Sequence, residues 1–157
     1  MTQGALIIFF ILGNLSENRE YKNTVGIDLL SSSLPFLSLK VKFEAKFKEH
    51  LSLDFNLTTS FLFISPEVGI REYLGKGDFD GFYLYQGING IIFSYNNITK
   101  LGAGFAVVGG YKYIAEEGFT IDPLLGLRLG FGASTFIPIS RFFHVLPVIG
   151  LYIGYSW

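Results

Sequence analysis

Apolar and polar residues alternate along the first half of the chain, and this alternation is its clearest pattern. From Leu37 to Phe47 every second residue is apolar, with Ser, Lys or Glu at the positions between. After Glu49 and His50 the alternation resumes and continues to Phe63, which is expected on the apolar face. Because successive side chains of a strand point to opposite faces, a period of two predicts two long strands joined in a hairpin.

The same pattern, interrupted by turn residues, recurs over residues 22–157 and predicts eight strands. The strands are expected at 23–32, 37–47, 51–63, 67–74, 82–93, 101–113, 119–132 and 145–157. Turns are expected at 49–50, 75–81 and 115–118 at one end, and at 31–35, 64–66, 95–99 and 133–144 at the other. Long strands in even number, each apolar on one face, predict an all-β, up-and-down, antiparallel transmembrane β-barrel.

The two faces of these strands differ in bulk as well as in polarity. The apolar face carries Leu or Phe at most positions, whereas the opposite face mixes Gly with long charged residues. The interior of an eight-stranded barrel is only just wide enough for side chains, so the bulky face is expected outside and the polar face inside. A soluble, lipocalin-like ligand-binding barrel would turn the apolar face inward and is the alternative.

The charges expected inside nearly balance. Buried charges persist only when they are paired, so these residues predict a connected polar network that closes the lumen. A gated ion path is the alternative role for the same residues. The predicted network consists of Lys40, Lys42, Glu44, Asp54, Glu67, Arg71, Lys112, Asp122 and Arg128.

Composition narrows the class of protein further. The length of 157 residues fits one domain, and half of the residues are apolar, yet no run reaches the roughly 18 apolar residues of a spanning helix. The net charge of −1 gives no basic surface for nucleic acid, and the absence of cysteine excludes disulfides and thiolate sites. Residues 1–18 contain a short apolar run and are predicted to be a signal peptide, with a retained N-terminal segment as the alternative.

Several short motifs carry a family resemblance. Arg71-Glu-Tyr73, Gly81-Phe-Tyr83 and Gly109-Gly-Tyr-Lys112 are similar to an uncharacterised family of bacterial barrels of this size, and Tyr155-Ser-Trp157 resembles the C-terminal signal read by the barrel-assembly machinery. Over residues 22–157 the architecture resembles the small eight-stranded outer-membrane barrels around the membrane domain of outer membrane protein A. The resemblance implies a bacterial outer-membrane location, with lipid and the assembly machinery as partners. It implies no single activity.

Candidate chemistry is sparse, and neither a catalytic residue nor a metal or cofactor site is predicted. His50 and His144 are expected at opposite rims, too far apart to share a metal. His50 with Ser52 is similar to the pair of outer-membrane lipid A deacylases, but it is expected at a periplasmic turn. His144 with Ser140 lies at the outer rim, which leaves a lipid-modifying enzyme as the alternative to a structural or surface-interacting barrel.

Aromatic residues at the strand ends are expected to form interfacial girdles. These residues are Phe47, Phe61, Phe63, Tyr113, Phe119, Phe136, Tyr155 and Trp157. One outer loop also has binding character, because Phe136, Arg141, Phe142 and Phe143 form an apolar patch with a cation. This patch is expected either to contact an external ligand or to extend the last two strands.

Overall fold

The chain forms a closed, all-β barrel in a computed structural model that describes residues 21–30, 38–75, 79–95, 98–132 and 144–157. The strands are β1 (Asn23–Asp28), β2 (Leu39–Lys48), β3 (Leu51–Thr59), β4 (Phe63–Tyr73), β5 (Gly81–Tyr95), β6 (Ile98–Ile114), β7 (Phe119–Gly132) and β8 (His144–Ser156). Each pairs antiparallel with the next, and β1 pairs with β8. The predicted eight-stranded, up-and-down antiparallel architecture is confirmed. The described residues contain no helix that is long and apolar enough to cross a membrane.

The pairing of β1 with β8 closes the barrel. Its register runs from Thr24 opposite Ser156 to Asp28 opposite Tyr152, with Gly26 facing Gly154 at the centre. A Cβ atom at Gly154 would overlap the backbone of β1. Glycine at this position therefore allows the first and last strands to approach closely enough to pair.

The apolar face of the strands lies outside and the polar face lies inside. Phe43 and Phe55 are 39% and 47% exposed, whereas Lys42 and Arg71 are 1% and 2% exposed. The predicted orientation of these two faces is therefore correct.

The turn between β3 and β4 lies earlier than predicted. The Ser60 hydroxyl accepts hydrogen bonds from the backbone N–H groups of Leu62 and Phe63, so β4 begins at Phe63 and residues 64–66 are strand rather than turn. This early turn changes the phase of the alternation. Phe63 is consequently buried inside the barrel, and its assignment to the apolar face and the girdle was wrong.

Other boundaries differ by a few residues. The strand β1 ends at Asp28 rather than at residue 32, because the Asp28 carboxylate accepts the N–H of Leu30 and turns the chain. The strands β5 and β6 are longer than predicted and include Tyr95 and Ile98, which had been expected in a turn. The predicted turns at 49–50 and 115–118 are observed, the second with Gly118 at a φ of 91°.

Some predictions fall outside the described residues. These are the proposed signal peptide at 1–18, the predicted turn at 31–35, and residues 133–143 of the predicted turn at 133–144, with the loop residues Phe136, Arg141, Phe142 and Phe143.

Candidate functional site: the polar interior

The interior of the barrel contains all the charged residues that the sequence placed there. They come from β2, β3, β4, β6 and β7, at positions that alternate with outward apolar residues. All are buried except Arg128, whose side chain is 14% exposed. They fall into two clusters along the barrel axis.

The first group, the deep cluster, consists of Lys42, Glu44, Asp54, Arg71, Lys112 and Asp122. Arg71 lies at its centre. Its guanidinium is 2.9 Å from the carboxylate of Asp54, 2.8 Å from that of Asp122 and 3.6 Å from that of Glu44. One cation therefore links carboxylates from three different strands.

Two lysines complete the ion pairs of the deep cluster. Lys42 Nζ lies 2.5 Å from Asp122 and 3.2 Å from Glu44. Lys112 Nζ lies 3.0 Å from Glu44. The three cations match the three carboxylates, so the cluster is neutral as a whole, as buried ionic groups require.

Neutral donors complete the hydrogen bonding of Glu44 and Asp122, whereas the buried Asp54 Oδ1 has no hydrogen-bond partner among the described residues. The hydroxyls of Tyr73 and Ser52 donate to Glu44 Oε1 at 2.5 and 2.6 Å. The Tyr83 hydroxyl donates to Asp122 Oδ1 at 2.5 Å. Sequence reasoning did not assign these hydroxyls to the network.

The glycines of the inner face make room for the tyrosine rings. A Cβ atom at Gly110 would overlap the ring of Tyr83, and one at Gly69 or Gly87 would overlap the ring of Tyr85. The Tyr83 ring in turn lies 3.8 Å from the guanidinium carbon of Arg71, a cation–π contact. The inner-face glycines therefore provide space for the tyrosine rings, and the charged residues beside them provide the ion pairs.

The second group, the upper cluster, consists of Lys40, Glu67 and Arg128, nearer the β3–β4 turn. Glu67 is paired with Arg128 and lies 3.7 Å from Lys40. The Tyr85 hydroxyl also donates to Glu67, at 2.9 Å, and the Asn56 amide donates to it at 3.4 Å. Glu67 is thus the shared partner of both cations.

The space between the two clusters is small. A cavity of about 20 Å³ lies there, lined by residues of both groups, including Asp54, Arg71 and Arg128. This volume holds about one water molecule. Where the two clusters meet, the described side chains therefore leave almost no free space.

Of the residues weighed for catalysis, His50 and Ser52 differ in burial. Ser52 is fully buried and donates to Glu44, whereas His50 is exposed in the turn between β2 and β3. His144 begins β8, and Ser140 and Arg141 lie outside the described residues. Among the described residues, no group of His, Asp and Glu is arranged to hold a metal ion.

Removing one hydroxyl tests whether the neutral donors matter. Tyr73→Phe is expected to destabilise the barrel by about 1.5–3 kcal/mol, because it deletes a hydrogen bond to a buried carboxylate. The free energy of unfolding would be measured in urea after refolding in detergent. Tyr155→Phe, on the exposed surface, is the matched control and should change little. Equal effects of the two substitutions would contradict a stabilising role for Tyr73.

Comparison with protein-family models, curated proteins and solved structures returned no match. The functional argument therefore rests on the geometry of the barrel itself.

Proposed function

We propose that the protein is an integral barrel of the bacterial outer membrane with a closed polar lumen, and that it has a structural or surface-interacting role without catalysis. The observation that carries this proposal is the apolar exterior. Every strand exposes large apolar side chains, exemplified by Ile27, Phe43, Phe55, Ile70, Ile88, Val107, Leu127 and Ile149. In water such a belt would be strongly unfavourable, whereas hydrocarbon suits it.

The closed sheet supports the same setting. Lipid offers no hydrogen bonds, so a chain can cross it only when its backbone groups are satisfied within the protein. The pairing of β1 with β8 meets this requirement, because it leaves neither strand with an unpaired edge. The ionic groups, which hydrocarbon would not tolerate, are enclosed with their partners.

Aromatic residues mark one end of the barrel. Phe47 precedes the β2–β3 turn, Phe119 follows the β6–β7 turn, and Tyr155 and Trp157 end β8; all four are about half exposed. Exposed rings at one height around a barrel suit a membrane–water interface. The first and last described residues, Tyr21 and Trp157, lie at this end, which would face the periplasm.

Detergent extraction followed by gel electrophoresis tests the membrane proposal. The unheated protein is expected to migrate differently from the boiled protein, because a closed membrane barrel resists the detergent of the gel until it is heated. The folded form should be recovered in the membrane fraction. Recovery in the aqueous phase without detergent would instead support a soluble barrel.

The closed lumen predicts low ion permeability. After reconstitution into planar bilayers the protein is expected to produce no steady pore of large conductance, because side chains fill the space between the two clusters. A water-filled porin measured in the same bilayers is the control. A stable, large conductance would overturn the closed lumen and favour the ion path.

A further inference from the structure

A groove of about 1000 Å³ interrupts the apolar exterior near the β3–β4 turn. Its floor is formed by three small outward residues that the strand register places side by side. Pro66 of β4 lies opposite Leu57 of β3, and Gly90 of β5 lies opposite Ala103 of β6. We call the depression over Pro66, Gly90 and Ala103 the trough.

Bulky residues border the trough above and below. Ile64, Ile92 and Leu101 lie above it, and Val68, Ile88 and Phe105 lie below it on the same three strands. Phe131 of β7 flanks one end, and at the other end the groove passes Leu57 of β3 towards β2. The depression is therefore one row of side chains that is missing from an otherwise continuous apolar layer.

The strand pairing is also interrupted beneath the trough. The β4–β5 register has pairs on both sides of Ser65 and Pro66 but none at these two residues. Proline has no backbone N–H to donate, and the Ser65 hydroxyl instead donates to the carbonyl of Gly90 at 2.8 Å. Asn56, Glu67 and Asn89 also line the groove, but their side chains are buried on the inner face of the barrel.

The dimensions of the trough indicate its occupant. Two residues along a strand span about 7 Å, so one missing row leaves a channel about 7 Å wide. From β3 to β7 the channel is roughly 20 Å long, at about 4.8 Å per strand. An α-helix, about 10–12 Å in diameter, is too wide to enter, whereas a single hydrocarbon chain is narrow enough.

We infer that the trough binds one acyl chain of a membrane lipid. This inference rests on the proposed membrane location. With the end that holds Tyr21 and Trp157 in the periplasm, the trough lies in the outer-leaflet half of the barrel, and it opens directly onto the lipid-facing surface. Lipid would contact the whole exterior of the barrel. A preference of an acyl chain for the trough over the rest of that surface must therefore come from close packing along its walls, because no apolar surface is removed from water.

A photoreactive lipid tests the inference. The full chain would be reconstituted in vesicles of phosphatidylethanolamine and phosphatidylglycerol that contain a phosphatidylethanolamine with a diazirine in its acyl chain. Adducts mapped by mass spectrometry are expected to be in excess on β4–β6 around the trough, compared with the surface near Ile27 and Ile149. Adducts spread evenly around a correctly inserted barrel would overturn the inference.

Filling the trough gives the decisive comparison. Gly90→Leu is expected to abolish the excess of adducts, because a Cβ atom at Gly90 meets no atom within 4 Å and the new side chain would occupy the channel. Gly109→Leu is the matched control, since Gly109 is on the outer face, lies away from the trough and has no neighbour closer than 4.0 Å to a Cβ. The control should retain the excess.

The remaining outcomes are also decisive. An excess that survives Gly90→Leu would contradict binding in the trough. A parallel reaction with a bifunctional photoreactive cross-linker tests the other occupant. Chain-to-chain cross-links at the trough that are lost in Gly90→Leu would assign it to a second copy of the chain and overturn the lipid. A chain that does not enter vesicles, judged by its heat-modifiable band, would refute the membrane location itself, and the lipid site with it.

Discussion

Replacing Arg71 by methionine is expected to destabilise the barrel by about 3–5 kcal/mol, because removing one partner from a buried ion pair leaves uncompensated charge. Arg71 is the cation that reaches Asp54, and it also contacts Asp122 and Glu44. Its loss would leave the deep cluster with three carboxylates and two lysines. Urea unfolding in detergent, followed by the fluorescence of Trp157 and by gel mobility, would measure the change.

Two further variants make this result interpretable. Lys48→Met removes a cation from the exposed rim and should cost little, since surface charges contribute weakly. Adding Asp54→Asn to Arg71→Met should recover part of the lost stability, because it removes the carboxylate left without its cation. If Arg71→Met costs no more than Lys48→Met, the deep cluster does not stabilise the fold in the way described.

Gly154→Val is expected to prevent normal closure of the barrel. The new side chain would overlap the carbonyl oxygen of Val25 and the Cα of Gly26, which are backbone atoms that cannot rotate away. The cost should reach or exceed about 3 kcal/mol, the upper end for ordinary overpacking. The measurement is the fraction of protein that shows the folded, heat-modifiable band after refolding in detergent.

The chain offers graded controls for this substitution. Gly109→Val places the same side chain where no atom lies closer than 4.0 Å to the new Cβ, and it should refold normally. Gly26→Ala should have an intermediate effect, since the nearest atom, the carbonyl oxygen of Ile153, is 3.1 Å away. Normal refolding of Gly154→Val would show that β1 and β8 can pair at a greater separation than the structure indicates.

The alternation of residues was enough to predict the strands wherever one face is uniformly apolar. This holds for β2, β6, β7 and β8, whose facing is observed as predicted. The alternation could not show which residues of β5 face inward, because Phe82, Tyr83, Leu84 and Tyr85 are all large and apolar. The structure turns Tyr83 and Tyr85 inward, where the glycines of neighbouring strands leave space for their rings.

The misplaced β3–β4 turn has a local cause. Pro66 suggested a turn because proline is common in turns and cannot donate to a strand ladder. In the barrel it lies within β4, at the point where pairing with β5 is interrupted. The actual turn is formed by Ser60 and its hydroxyl, which a sequence of mixed polar and apolar residues did not distinguish.

The pairing inside the lumen and the trough on the exterior lay beyond sequence reasoning. The sequence indicated which charges would be enclosed, but the choice of Asp122 as the partner of Lys42 depends on the register and closure of the whole sheet. The trough likewise depends on three small residues from separate strands that become neighbours only after pairing. Both features are set by contacts between distant parts of the chain.

That distance has a consequence for biogenesis. Lys42 and its partner Asp122 are 80 residues apart in sequence, and Lys112 and Glu44 are 68 apart. In the proposed outer-membrane setting, a hairpin of β2 and β3 that entered the bilayer alone would place charged side chains in hydrocarbon without their partners. The free energy of that transfer is strongly unfavourable. We therefore expect β2 and β3 to insert into the bilayer only together with β6 and β7, so that membrane insertion is a late and concerted step.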